Sequence, residues 1–497
     1  MLSVLVFLPA AMAATLMAFP FATDATVRRL WVVVTTVEVS LVVGMWVRYG
    51  QLQIRGGDFA FEVRVPWIPS VGSDYHIGVD GLSLPLIAMT TVLFLACAIY
   101  SFRDTQRVRS YAALFLFLET VCLGVFVSLD LVLFFVFFDL SIVGMYFVIN
   151  GWGHSGARRA ALQFFLYTFI GSFALLVGFI VLYLAASPHT FDMVELTQQN
   201  PLAGTGTLGV LALFAIFIGL AIKTPTVPFH TWLPPAHTEA PAAGSAILAG
   251  VLLKMGTYGF VRIAMPMLPE QWTRFALVIV IVGVVSVLYG ALVALAQSNF
   301  KRMIAYTSVN HMGYIVLAVG AAGLVGRSDE QARQLAVTGA VTQMVSHGLI
   351  TAALFLLAGV LYERGGTYDI TSYGGLAALT PVFAAATALA AFASLGLPGF
   401  SGFIAEFQIF TGSLGAAPVA TVLAFSGILI TAALFLRAYQ RIFLGPARVG
   451  SAADFTAPEA ASILPLIAAS VIIGLFPRFL LDVIEPASRA LLLLLDR

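Results

Sequence analysis

The chain has 497 residues, 60% of them hydrophobic and only 10% charged, with a formal net charge of +1. Soluble domains carry about 25% charged residues, so a water-soluble globule is excluded, and the near-neutral balance excludes a nucleic-acid binder, which needs clustered lysine and arginine. Mean hydropathy of +0.99, with repeated apolar runs of the ~20 residues that cross a ~30 Å hydrocarbon core, places the chain in a bilayer.

The pattern predicts an all-α polytopic membrane protein of about fourteen spans: residues 2–20, 29–47, 80–102, 111–128, 130–150, 160–186, 206–224, 242–264, 274–296, 302–323, 335–361, 379–412, 417–440 and 461–478. The AMA stretch in the first run resembles a signal-peptide cleavage site. No basic region precedes it and many spans follow, so it is read as a span. The longest polar connection, Gln51 to Tyr75, alternates Phe59, Phe61, Val63 and Val65, which predicts a small β-hairpin at the surface. Cys97 and Cys122 lie inside apolar runs and are read as small packing hydrophobes.

Glu119 follows in LFLFLETVCLGVF, then Asp130 after Ser128, read as a helix cap, and Asp139 in LFFVFFDLSIVGMYF. The stretch GLAIKTPTVPFHTWLPPAHTEAP ends a charge-free run with Lys223 and two prolines, Pro225 and Pro228. Those prolines break the helix, which predicts carbonyls near Lys223 open to water and an ammonium at the negative end of the helix. His230 and His237 fall in the polar segment behind, where lining a wet entrance and simple hydrogen bonding are both open. Pro234 and Pro235 are expected to prevent one regular helical face there, so the pair is not read as a metal motif.

Lys254 lies in ILAGVLLKMGTYGF, His311 in YTSVNHMGYIVL and His347 in TQMVSHGLITAALF. Two lone histidines on separate spans do not make a haem site. FASLGLPGFSGFIAEFQIF is a second interrupted span, in which Gly396, Pro398, Gly399 and Gly402 precede Glu406. Two broken helices in corresponding halves point to a repeat-built transporter. Lys223 precedes its proline by two residues while Glu406 follows its own by eight, so the symmetry is loose. No phosphate loop, dinucleotide fingerprint or CxxC pair occurs. The positive-inside tendency weakly favours both termini outside, with Arg103, Arg107, Arg109, Arg158, Arg159, Lys301 and Arg302 in the cytoplasm.

An ionisable side chain at mid-membrane costs ~2.5–3.5 kcal/mol on insertion scales. Any one of Glu119, Asp139, Lys223, Lys254, His311, His347 and Glu406 is explained by a structural ion pair. Together they exceed what helix packing requires, and groups that gain and lose protons as partner charges move form a proton relay.

At these residues the sequence resembles the antiporter-like membrane subunits of respiratory complex I, the proton-pumping NADH:quinone oxidoreductase, and most of all the M-type subunits. FHTWLPPAHTEAPAAGSAILAGVLLKMGTYGF carries the likeness, supported by AYTSVNHMGYIVL, SHGL, YGGLA and LPGFSGFIAEF. The resemblance implies fourteen helices, with inverted repeats of helices four to eight and nine to thirteen. It divides the chain at 1–110, 111–265, 266–445 and 446–497. It implies that Asp139 matches the acid of the fifth helix, Lys223 the lysine of the broken seventh, Lys254 that of the eighth and Glu406 the acid of the broken twelfth. His311 and His347 link Lys254 to Glu406. Glu406 points to the M type, because sister subunits carry lysine there. Two departures stand out: Asp139 where the family has glutamate, and Pro235 where it has aspartate.

The resemblance further implies no cofactor in this chain, with FMN, iron-sulfur clusters and quinone in other subunits, and partners among sister membrane subunits and lipids in a bacterial inner membrane. Glu119, His230 and His237 are entrance or second-tier candidates. The rival readings are a Na+/H+ antiporter subunit, a structural subunit whose charges clamp helices, and a quinone-binding cytochrome.

Overall fold

The computed structural model describes residues 1–19, 22–52, 57–102, 106–448 and 451–496. Arg103 and residues 53–56 of the predicted hairpin loop lie outside the described residues. The chain opens with helices α1 (Leu2–Ala18) and α2 (Asp24–Gln51), the latter capped by the Thr23 side chain. A hairpin of strands β1 (Ala60–Ile68) and β2 (Ser73–Val79) follows, paired antiparallel. Next come α3 (Leu84–Tyr100), α4 (Val108–Val127), α5 (Leu131–Trp152), α6 (Ala157–Ala185), the short α7 (Met193–Gln199), α8 (Thr207–Lys223), the short α9 (Leu233–Glu239) and α10 (Ala242–Met267). The second half holds α11 (Pro269–Leu295), α12 (Phe300–Ala322), α13 (Glu330–Gly365), α14 (Pro381–Ser394), α15 (Ser401–Leu414), α16 (Pro418–Phe443), α17 (Ala457–Leu475) and α18 (Arg478–Leu495).

Among the described residues nine of these helices are long and apolar enough to cross a membrane, and α1, α3, α8 and α14 are shorter apolar helices. Two of the shorter ones, α8 and α14, are the segments cut by the predicted breaks. Helices α10 and α13 are buried along their whole apolar windows, whereas α2, α6, α16 and α17 leave most of theirs uncovered. The central α10 is the least apolar of the nine, whereas the most apolar, α11, is half uncovered, so in lipid the apolar surface faces outward. Helices α11 and α12 come together backbone to backbone, because Gly283 and Gly313 face each other and a side chain at either would strike the partner helix.

The expected surface hairpin is present, with β1 largely exposed, but it is anchored inward. The second half of β2, His76 to Val79, is buried. His76 Nδ1 meets Asp192 at 2.5 Å and Nε2 meets Glu62 at 2.7 Å, while Arg64 reaches Asp74 and Glu195, each at 2.7 Å. Burial opposes a charged His76, but the Asp192 and Glu62 carboxylates outweigh it and hold its pKa above the ordinary 6.5. Burial likewise opposes a charged Asp192, and the His76 bond with the backbone N–H of Glu195 prevails to hold it below 3.8. Asp130 caps α5 as predicted, accepting from Val132 N (2.9 Å) and Leu133 N (3.0 Å). It also takes Ser73 Oγ and Asp74 N, which ties the hairpin to that helix.

One expectation is corrected: Lys301, counted with the loop charges, is fully buried in the first turn of α12. Pro234 and Pro235 lie in the first turn of α9, which needs no N–H from them, and His230 lies outside that helix, so it and His237 share no regular helical face, as expected.

Candidate functional site

Helix α8 stops at Lys223 because Pro225 and Pro228 offer no N–H to continue the ladder. The freed carbonyls are not left to water, contrary to the sequence reading. Thr224 N–H donates to Leu220 O (2.8 Å), Thr226 N–H to Ala221 O (3.1 Å) and the Trp232 indole to Ile222 O (3.0 Å). Lys223, 1% exposed, lies over the Phe138 ring (4.7 Å) and donates to Ser141 Oγ (2.9 Å). The expected ion pair with Asp139 is open, and Asp139 Oδ1 has no hydrogen-bond partner. Asp139 is also only half-buried on α5.

Lys254 sits in a seven-residue α segment of α10 between two π-helical turns, Leu248–Leu252 and Phe260–Ala264. Wide turns of this kind leave carbonyls outside the regular ladder and recur at functional sites. The Lys254 ammonium donates to Ala249 O (2.5 Å) and to His347 Nδ1 (2.6 Å). His347 and His311 bring their rings to 5.3 Å between centroids. His311 Nδ1 lies 3.1 Å from Gln343 Nε2 and 3.7 Å from Glu406 Oε1, and its Nε2 lies 3.3 Å from Ser394 Oγ. A small cavity lined by His311, Gln343, His347, Ser394 and Glu406 admits about 10 Å³ of water centres, room for one water. Gly396 (φ +68°) turns the chain at the second break, and any Cβ there would strike the Glu406 carboxylate.

The structure thus brings four predicted residues, Lys254, His347, His311 and Glu406, into one continuous row. Lys223 and Asp139 form a separate group. The two meet where Gly256 packs against Thr224, whose hydroxyl is buried without a partner.

A cleft of about 400 Å³ opens among Tyr111, His154, Tyr362, Glu363 and Tyr368. Behind it the Lys301 ammonium lies over the Tyr368 ring (5.1 Å) and donates to the Ala240 carbonyl. His237, fully buried, stacks on Phe355 (4.4 Å) with neither ring nitrogen bonded, within electrostatic reach of both Lys301 and Lys254. His230 stands apart, beside Tyr289 (4.9 Å). Glu119 is outside the row, buried in α4 with both oxygens unpartnered.

Sequence reasoning missed Ser141, Gln343, Ser394 and a hydroxyl chain from Ser346 through Ser401 to Ser470 (2.8 and 2.7 Å). Uncharged polar residues in apolar helices cost too little to attract notice. It also passed over Glu38 in VVVTTVEVSLVV and the buried Arg262–Asp80 pair (2.5 Å), which the rule for intramembrane charge would have found.

A profile described as NADH:quinone oxidoreductase/Mrp antiporter, transmembrane, matches residues 128–431. NADH-quinone oxidoreductase subunit M of Rickettsia conorii is 41% identical over 432 residues, covering 86% of this chain and 84% of the relative. A chain of respiratory complex I from Thermus thermophilus superposes with a TM-score of 0.88 at 29% identity, each chain covered in full. A chain of the Mrp complex from Dietzia shares the fold, with a TM-score of 0.87 at 22% identity over 100% of this chain and 97% of that one.

Proposed function

Because the chain belongs to the NADH:quinone oxidoreductase/Mrp antiporter transmembrane family, on the branch of the M subunits, we propose that it is a proton-translocating subunit of the membrane arm of complex I. It is a multi-pass membrane protein. In this reading it has fourteen transmembrane helices in two inverted repeats and both termini on the outer side. It holds no redox group, and NADH oxidation and quinone reduction elsewhere in the assembly drive it.

The observation that carries the reading is the row from Lys254 through His347 and His311 to Glu406. A proton reaches Lys254 by way of the cleft, Lys301 and His237. It passes to His347 along the 2.6 Å contact, crosses between the two imidazoles, and reaches Glu406 directly or over one water. Asp139 sets how firmly Lys223 keeps its proton, and closing or opening that pair biases the neighbouring lysine. A change of one pKa unit in such coupling is worth about 1.4 kcal/mol, so a side-chain displacement is enough to drive the step.

In the assembly purified through a tag on this chain, Lys254→Met and Glu406→Gln should leave NADH oxidation with an artificial acceptor intact and lower the protons pumped per electron pair. Unchanged stoichiometry in both variants overturns the relay. Co-purification with cation-antiporter subunits and no NADH-oxidising activity would move the chain to the antiporter reading.

A further inference from the structure

The mechanism leaves two buried acids unused. Glu38 of α2 and Glu119 of α4 are each 0% exposed, and none of their four carboxyl oxygens has a hydrogen-bond partner among the described residues. They sit on two helices packed against each other, within electrostatic reach. The faces that meet are regular. Trp31, Thr35 and Glu38 recur at helical spacing on α2, and Tyr111, Phe115 and Glu119 do so on α4. Trp31 packs on Phe115 (5.4 Å) and Tyr111 (6.0 Å), which fixes the register that brings the acids together.

A second observation lies in the same seam. The Trp31 indole N–H, on the side of α2 that packs on α4, is buried with no acceptor among the described residues. The seam therefore holds an unused donor and four unused acceptor oxygens, and a buried water typically makes two to four hydrogen bonds to such groups. An unpaired buried carboxylate costs several kcal/mol, and no basic side chain bonds to either acid. The neutral acid is the form this seam accommodates.

The other titratable neighbours are few. Cys97 of α3 and Cys122 of α4 lie within electrostatic reach of Glu119, and α1 contributes no titratable side chain. Asp139 on α5 and Lys254 on α10 sit on other helices packed against α4. Cys122 is also within reach of Lys223. The pair therefore stands at the Lys223 end of the chain's charged groups, with one cysteine between.

We propose that Glu38 and Glu119 form a proton-holding carboxyl pair, a site separate from the row of Asp139, Lys223, Lys254, His311, His347 and Glu406, and together keep at least one proton. The pair stores that proton among the N-terminal helices.

The test is infrared difference spectroscopy of the purified assembly between acidic and alkaline buffer, in H2O and D2O, following the carbonyl stretch of protonated carboxylic acid. Glu38→Gln and Glu119→Gln should each remove about one carboxyl's share of a deuterium-sensitive band that persists above neutral pH. A band unchanged in both variants overturns the site. If a glutamine variant fails to assemble, Glu38→Asp and Glu119→Asp keep the carboxyl, and a shifted band supports the pair while an unmoved one overturns it. The readout contains no pumping measurement, so it stands or falls apart from the relay.

Discussion

The two halves of the site are built to different tolerances. Around Lys254 the contacts are tight: the ammonium is held at 2.5 and 2.6 Å and the histidine rings are adjacent, with His347 Nε2 unbonded among the described residues and Glu406 lying 3.7 Å from His311. Around Lys223 the contacts are loose: one hydroxyl at 2.9 Å, an aromatic face, and a half-buried Asp139 that leaves an oxygen unbonded. In the closed half Lys254 and His347 stand on α10 and α13, whose apolar windows are wholly buried, and the open half borders helices α5 and α6, which expose much of their surface. A pair that must open and close belongs where packing is incomplete. A wire that must conduct belongs where it is tight.

The sharpest way to break the contrast is His347→Leu. It removes the acceptor of Lys254 and the ring next to His311 together, at a cost of ~1.5–3 kcal/mol for a hydrogen bond to a charged group. Protons pumped per electron pair should fall to the level of Lys254→Met. Retention of more than half the parent stoichiometry would mean that the closed half is packing and not a path.

Asp139→Glu sharpens the contrast from the other side, since the added methylene should bring a carboxylate within 4 Å of Lys223 in a density map of the variant assembly. Pumping should then stay within a factor of about three of the parent, less than ~0.7 kcal/mol. A larger loss would show that the shorter acid is required.

The smallest effect is expected at the hairpin, far from both halves. The raised pKa of His76 means that its contribution is complete below pH 6.5 and is lost as the pH climbs through the folded-state value. The lowered pKa of Asp192 means that its contribution is complete above pH 3.8 and is lost as the pH falls through its own folded-state value. The protection of the β1 and β2 amides against hydrogen exchange, after the intrinsic pH dependence of exchange is divided out, should be highest between these limits and fall in alkaline buffer, and His76→Leu should remove that alkaline loss. A flat profile in the parent protein would show that the imidazole does not latch the hairpin.

Much of this was legible in the sequence where a residue contradicted its surroundings. Lys223, Lys254 and Glu406 stand out because charge in an apolar run is costly, and both helix breaks are announced by proline and glycine. Asp130 followed from capping chemistry. What stayed hidden was local geometry with no compositional signature. The two π turns that flank Lys254 lie in an apolar run that reads as plain helix. The donors that seal the α8 break, Thr224, Thr226 and Trp232, are ordinary residues a few positions downstream. Glu38 was legible and passed over, whereas its pairing with Glu119, 81 positions away, was not.

The sequence by itself determined that this chain lives in lipid, which helices are cut and which groups are too costly to be incidental, because transfer energies depend on residue type and span length alone. Only the tertiary structure decided which of those groups touch. It joined Lys254, His347, His311 and Glu406 and left the Asp139–Lys223 pair open, because contact across helices depends on rotation, depth and side-chain reach, none of which is encoded in spacing along one strand of sequence.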